Sequence, residues 1–257
     1  MSEQKSREAV IVSGARGFIG KSLCEFLRSD YIVIGADLKR PAHGSEDFVG
    51  DYFVEISEYN NDGLGELRSI LRERPIGTLS SLIVCNGSEG NIDDVENHKD
   101  GDVEATIAAS ITPVMSMLKE VVPTMKESKY GRVVLFSSLA TYKPNALMPG
   151  YTCSKHAIEG LVKSLARELG PFGIRVNCIA PGPLKSRMQV DIQKLLLARR
   201  PDTDSAETVV NELARAIPLG RLCERKDING VVTFLMSEDS SFITGQVLRV
   251  DGGASVK

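Results

Sequence analysis

The sequence predicts an α/β fold: a doubly wound parallel sheet of about seven strands, helices on both faces, one domain. Three observations carry that expectation. Short, almost wholly apolar runs recur along the chain, as strands covered on both faces require. Between them, apolar residues repeat at helical spacing. The length, 257 residues, suits one large domain better than two small ones.

The elements follow in order. Ala9 to Ser13 (AVIVS) reads as a first buried strand, and Ile19, Leu23, Phe26 and Leu27 then share one helical face. Tyr31 to Ala36 (YIVIGA), Ser81 to Cys85 (SLIVC) and Arg132 to Phe136 (RVVLF) are further strands. Ile158, Leu161, Val162 and Leu165 mark a second helical face, before the strands Ile174 to Ile179 (IRVNCI) and Gln246 to Val250 (QVLRV). Strand–helix alternation implies βαβ units. Residues 186–217 are polar, charged and helical in pattern, an insertion above the sheet expected to act as a substrate lid. No repeat or low-complexity linker interrupts the chain, so 1–257 reads as one domain.

Composition excludes several functions. The apolar share of 42% and charged share of 25% are ordinary for a soluble globular protein. A net charge of -3 leaves no footprint for nucleic acid or an anionic membrane. The start, MSEQKSREAV, is polar and does not read as a signal peptide. No run approaches the ~18 uninterrupted apolar residues of a membrane span. Cys24, Cys85, Cys153, Cys178 and Cys223 are scattered without C-x-x-C spacing, which fits reduced thiols in the cytoplasm. His43, His98 and His156 do not cluster, and no metal site is expected.

After the first strand comes Ser13-Gly14-Ala15-Arg16-Gly17-Phe18-Ile19-Gly20. Spaced glycines are weak evidence alone. Here they follow a strand and open a helix whose free N–H groups and positive dipole end suit a pyrophosphate. That context makes the fold Rossmann-type and the ligand a dinucleotide. Asp37, at the end of the second strand, suits the adenosine ribose hydroxyls and repels a 2′-phosphate, so NAD is expected over NADP. Arg16, Lys39 and Arg40 pull the other way, since basic groups accommodate phosphate. Asp51 is a weaker candidate for an adenine contact.

Tyr151 and Lys155 stand four apart where a helical pattern begins, so they share a face. An ammonium beside a phenol stabilises the phenolate and lowers the tyrosine pKa, giving a general acid or base near neutrality. The bland alternative is a surface pair on a helix.

At these residues the sequence resembles the short-chain dehydrogenase/reductase family. Ser138, at the end of GRVVLFSS, lies thirteen residues before Tyr151, and G-I-R-V-N (173–177), A-P-G (180–182), I-T-G-Q (243–246) and V-D-G-G (250–253) follow in order. The resemblance implies that Tyr151 exchanges a proton with the substrate oxygen and that Ser138 orients that oxygen. Lys155 is implied to tune Tyr151 and hold the nicotinamide ribose. Pro181, Gly182 and Ser186 then lie by the nicotinamide, with Asn86 and Gly87 along the cofactor. The implied reaction passes a hydride between nicotinamide and a secondary alcohol or ketone, such as a sugar derivative or other polar hydroxyl compound. Alternatives are a 3-oxoacyl thioester reductase and a non-catalytic dinucleotide sensor or scaffold. The family also implies a homotetramer or homodimer, paired through the helix before the fifth strand and the helix carrying Tyr151.

The chain departs from the family in three places. Gly14, Gly17 and Gly20 are spaced three and three rather than four and two. The family's N-N-A-G is Cys85-Asn86-Gly87-Ser88. Ser110 occupies the position of a catalytic asparagine that holds a proton-relaying water. The substrate wall is expected to include Ala140, Tyr142, Asn145, Leu147 and Met148, with Ser88 opposite. Arg187, Arg199 and Arg200 in the lid read more simply as a solvated face.

Overall fold

A computed structural model describes residues 7–38, 48–56, 63–186, 189, 192, 195 and 206–256. Lys39, Arg40, His43, Arg187, Arg199, Arg200 and most of the expected lid lie outside the described residues.

Seven strands form one parallel sheet: β1 (Ala9–Ser13), β2 (Ile32–Leu38), β3 (Tyr52–Ile56), β4 (Leu79–Val84), β5 (Gly131–Phe136), β6 (Ile174–Pro181) and β7 (Val247–Val250). Their order is β3-β2-β1-β4-β5-β6-β7. Chain progression reverses between β1 and β4, and the crevice at such a switch point is where open α/β sheets bind ligands. The described helices are α1 (Phe18–Leu27), α2 (Gly65–Glu73), α3 (Asp102–Ser128), α4 (Pro149–Leu169), α5 (Ala206–Arg215) and α6 (Arg225–Met236).

Both faces of the sheet are covered because successive side chains point to opposite sides. From β1, Ala9 and Ile11 join a cluster with Met117, Val121, Ile158 and Val162 of α3 and α4. Val10 and Val12 join another with Leu23, Leu27, Ile228 and Val232 of α1 and α6. All residues of β1, β4, β5 and β6 are buried, whereas edge strand β7 is half-covered.

Two expectations change. Phe26 is 48% exposed rather than on the inner face of α1. That face is centred on Gly20, Leu23, Cys24 and Leu27, which turns Phe26 to solvent. Helix α3 is long and apolar enough by length and composition to cross a membrane. Its buried Val114, Met117 and Val121 pack in the sheet core, so it reads as a core helix.

Candidate active site

The phosphate turn is built from backbone. Gly14 has φ 78°, and its N–H and that of Ala15 both donate to Ala36 O. A Cβ on Gly20 would overlap the Gly14 carbonyl, so the turn closes only around a glycine there. Gly17 is the N-cap of α1, and no side chain caps that end. The N–H groups opening α1 therefore point into the crevice as an anion site.

Asp37 is fixed by this turn: its Oδ2 accepts from Arg16 N at 2.8 Å and its Oδ1 from Leu38 N at 2.8 Å. The Arg16 guanidinium is engaged by neighbouring protein groups. It pairs with Glu55 at 2.8 Å, donates to Leu38 O at 3.2 Å and lies 4.1 Å over the Phe53 ring. Asp51 is not at the site, which corrects the sequence expectation. It precedes β3 and pairs in register with the start of β2, at the opposite rim of the sheet. There it accepts from Val33 N at 2.8 Å and pairs with Arg7 at 3.4 Å.

Between β1 and β4, Ser13 Oγ donates to Asn86 Oδ1 at 2.6 Å, and Cys85 N donates to Ser13 O at 2.8 Å. Two cavities meet there. One of about 580 Å³ is lined by Gly14, Asp37, Asn86 and Thr112. The other, about 550 Å³, is lined by Phe18, Ile19, Ser138, Tyr151, Lys155, Pro181, Gly182 and Ser186. Gly17, Cys85, Gly87 and Ser88 line both, so the two form one elongated cleft along the carboxyl ends of the strands. An elongated cleft, an uncapped helix start and a carboxylate, Asp37, at the end of β2 fit a dinucleotide.

Ser138 leaves β5 as the N-cap of a 3₁₀ turn, Leu139–Thr141, and its Oγ accepts from Ala140 N at 3.2 Å. That hydroxyl also faces the phenol of Tyr151, on the first turn of α4, and favours its ionised form. Lys155, one turn on, is buried, donates from Nζ to Phe136 O at 3.2 Å and sits 5.6 Å from the Tyr151 ring centroid. The expected surface-pair alternative is excluded, since Lys155 is only 6% exposed.

The electrostatics correct one expectation. Burial raises the Tyr151 phenol above its ordinary pKa, the Ser138 hydrogen bond opposes this, and the Glu89 carboxylate adds to it. Burial also lowers Lys155. Lys155 donates to the Phe136 carbonyl and is not among the groups that set the direction of the Tyr151 shift.

Ser110 on α3 is fully buried, and its Oγ has no hydrogen-bond partner. A Cβ added to Gly87 would lie 3.1 Å from Lys155 Nζ and 3.9 Å from Ser110 Oγ, so both groups border one small space. Pro181 ends β6, and the following Gly182 donates its N–H to Val250 O at 2.9 Å. Ser186 Oγ accepts from Gln189 N at 3.2 Å.

Of the expected wall, Ser88, Ala140, Asn145 and Met148 line the cavity. Tyr142 does not: it is 47% exposed and stacks with Arg249. Leu147 does not line it either, and carries a left-handed φ of 69° in its loop. Sequence reading missed Leu139, Lys143, Ile192, Leu213 and Ile217. No local pattern singled out Ile192, Leu213 or Ile217, because they stand among polar and charged neighbours.

A family model described as enoyl-(acyl carrier protein) reductase matches residues 71–255. Oxidoreductase UcpA of Salmonella typhimurium is 35% identical over 178 residues, which cover 68% of this chain and 65% of that protein. The match thus spans just under two thirds of that relative's length. The 3-oxoacyl-(acyl-carrier-protein) reductase FabG of Rickettsia felis is 28% identical over 247 residues, 95% of each chain. Among solved structures, NAD+-bound xylitol dehydrogenase superposes with a TM-score of 0.83 at 26% identity, covering 97% of this chain and 100% of that one.

Proposed function

This chain belongs to the short-chain dehydrogenase/reductase family of oxidoreductases, and from that premise we propose that it interconverts a secondary alcohol and a ketone with NAD. The carrying observation is the convergence of Ser138, Tyr151 and Lys155 in a cavity continuous with a dinucleotide-shaped cleft. When bound, the nicotinamide supplies or accepts the hydride. Tyr151 gives its proton to the substrate oxygen during reduction and recovers it during oxidation. Ser138 orients that oxygen, and Lys155 reaches the nicotinamide ribose. Ser110 and Lys155 hold a water between them that returns the proton to Lys155, since a buried orphan hydroxyl beside an ammonium suits one.

NAD is preferred on the strength of Asp37 and Glu55, two carboxylates beside the ribose end, with Arg16 held by Glu55. The same residues disfavour a 2′-phosphate. The likeness to xylitol dehydrogenase supports a sugar derivative or another polar hydroxyl compound as substrate. A second reading, a 3-oxoacyl thioester reductase, is favoured by the apolar wall of Leu139, Met148, Ile192, Leu213 and Ile217 and by the Rickettsia relative. A non-catalytic sensor is disfavoured by the intact catalytic set. We further propose a cytoplasmic homotetramer or homodimer paired through α3 and α4, with five free thiols and small-molecule partners only.

Titration with NADH and NADPH, followed by nicotinamide fluorescence, tests the cofactor. Assays of sugar alcohols against 3-oxoacyl thioesters then separate the two substrates. Tyr151→Phe is expected to abolish turnover while leaving NADH affinity nearly intact; full turnover in that variant would sink the mechanism.

A further inference from the structure

Outside the residues that face the cleft, one side chain binds together the two segments that carry the catalytic groups. Glu159 lies on α4, one turn beyond Lys155, and is half-buried. Its Oε1 accepts from Ser137 Oγ at 2.9 Å and from Thr141 Oγ1 at 2.7 Å. These two residues flank Ser138 on either side of its turn. Ser137 is itself buried and donates its N–H to Ile179 O at 2.8 Å. Thr141 N closes the turn onto Ser138 O at 3.1 Å.

We propose that Glu159 is a positioning residue: it clamps the Ser138 turn to the helix bearing Tyr151 and Lys155, and so fixes the Ser138 hydroxyl against the tyrosine. This rests on the oxidoreductase reading above for its catalytic consequence. Hydrogen bonds to a carboxylate are about twice as strong as neutral ones, and two from one turn restrict both its ends. The other ties of this segment to α4 are longer: Ser137 Oγ also reaches Lys155 O at 3.3 Å and Lys155 Nζ donates to Phe136 O at 3.2 Å, and neither holds the far end of the turn at Thr141. A turn free to shift by a fraction of an ångström loses the alignment on which proton transfer depends.

The test reads Tyr151 without any substrate. The phenolate absorbance of each variant, minus that of the same variant carrying Tyr151→Phe, isolates ionisation of this one tyrosine. Glu159→Ala is expected to move it to higher pH, because the Ser138 bond that lowers it is lost. Glu159→Gln, whose amide oxygen still accepts from both hydroxyls, is expected to stay near the wild type. With a turned-over ketone, Glu159→Ala should lose about 10- to 100-fold in kcat, with NADH affinity changed by less than about twofold. An unmoved Tyr151 ionisation in folded Glu159→Ala overturns the proposal. Should that variant not fold, Ser137→Ala combined with Thr141→Val removes both donors and leaves Glu159 in place, and an unmoved ionisation there overturns it equally. A shifted ionisation in a protein that turns over no ketone would uphold the clamp and reject the reaction.

Discussion

Tyr151 is held as a phenol by its surroundings. Burial raises its pKa, and only the Ser138 hydroxyl bond pulls it back. The sign of the pH dependence follows. Reduction needs the protonated phenol, so it persists below the raised pKa and is lost as pH rises through it. Oxidation needs the phenolate and gains as pH rises. Ser138→Ala should move both limbs to higher pH and lower kcat about 100-fold, measurable in pH–rate profiles. Asp37→Ala removes the acceptor that holds Arg16 N, together with the carboxylate that we propose disfavours a 2′-phosphate. NADPH affinity is expected to gain about tenfold relative to NADH, a shift of about 1.4 kcal/mol, in paired fluorescence titrations. Tyr151 and Lys155 were legible because helical spacing places them on one face. Asp51 was misread because the end of the sheet a residue occupies depends on strand register, which no local pattern reveals. Glu159 escaped notice for a related reason: its partners lie on another segment.

At the scale of elements, two helices begin with distinct devices. Helix α1 begins uncapped, around glycines. Gly20→Ala would drive a methyl group into the Gly14 carbonyl. The turn must open, and we expect a loss of about 1–3 kcal/mol in stability with weakened NADH binding, read by denaturant melts and titration. Helix α6 begins with a reciprocal cap: Glu224 and Asp227 bond each other's backbone N–H, and Arg221 grips Asp227 at 2.6 and 2.8 Å. This holds Asp227 down to about 2 from 3.8, mainly through the Arg221 hydrogen bond. Its contribution is complete above the ordinary carboxylate range and fades as pH falls towards about 2. Asp227→Ala should cost about 1 kcal/mol, and the difference from wild type should shrink in acid, as melts at several pH values would report. The strands β1, β4, β5 and β6 were plain from apolar runs. Strand β3 was fainter, because an edge strand half-open to solvent admits polar residues such as Glu55. Phe26 was misassigned because the inner face of α1 includes Gly20 and Cys24, small residues that weigh little in an apolar pattern.

For the whole molecule, the sheet order places every cleft residue on one rim. A cofactor that binds there contacts both halves of the sheet across the switch point, so it should stabilise the fold as a unit. At a hundredfold excess over Kd, NADH is expected to add about 2.7 kcal/mol, visible as a single shifted unfolding transition. A transition that splits in two would contradict one cooperative domain. The fold class was legible because strand–helix alternation constrains topology strongly. The outer wall of the cavity was legible in part: the loop after β5 was anticipated at Ala140, Asn145 and Met148, whereas Leu213 of α5 and Ile217 lie far from it in sequence.

The opposite rim is closed by charges: Arg7 on Asp51, Arg132 on Glu238, and Arg175 donating to Ser237 O at 2.9 Å. None of these groups lines the cleft cavities. The molecule therefore has one edge where sequence drift changes which compounds are handled, and another where drift changes only how long the protein lasts. A tether or fusion attached near the exposed Glu238 should leave the chemistry undisturbed.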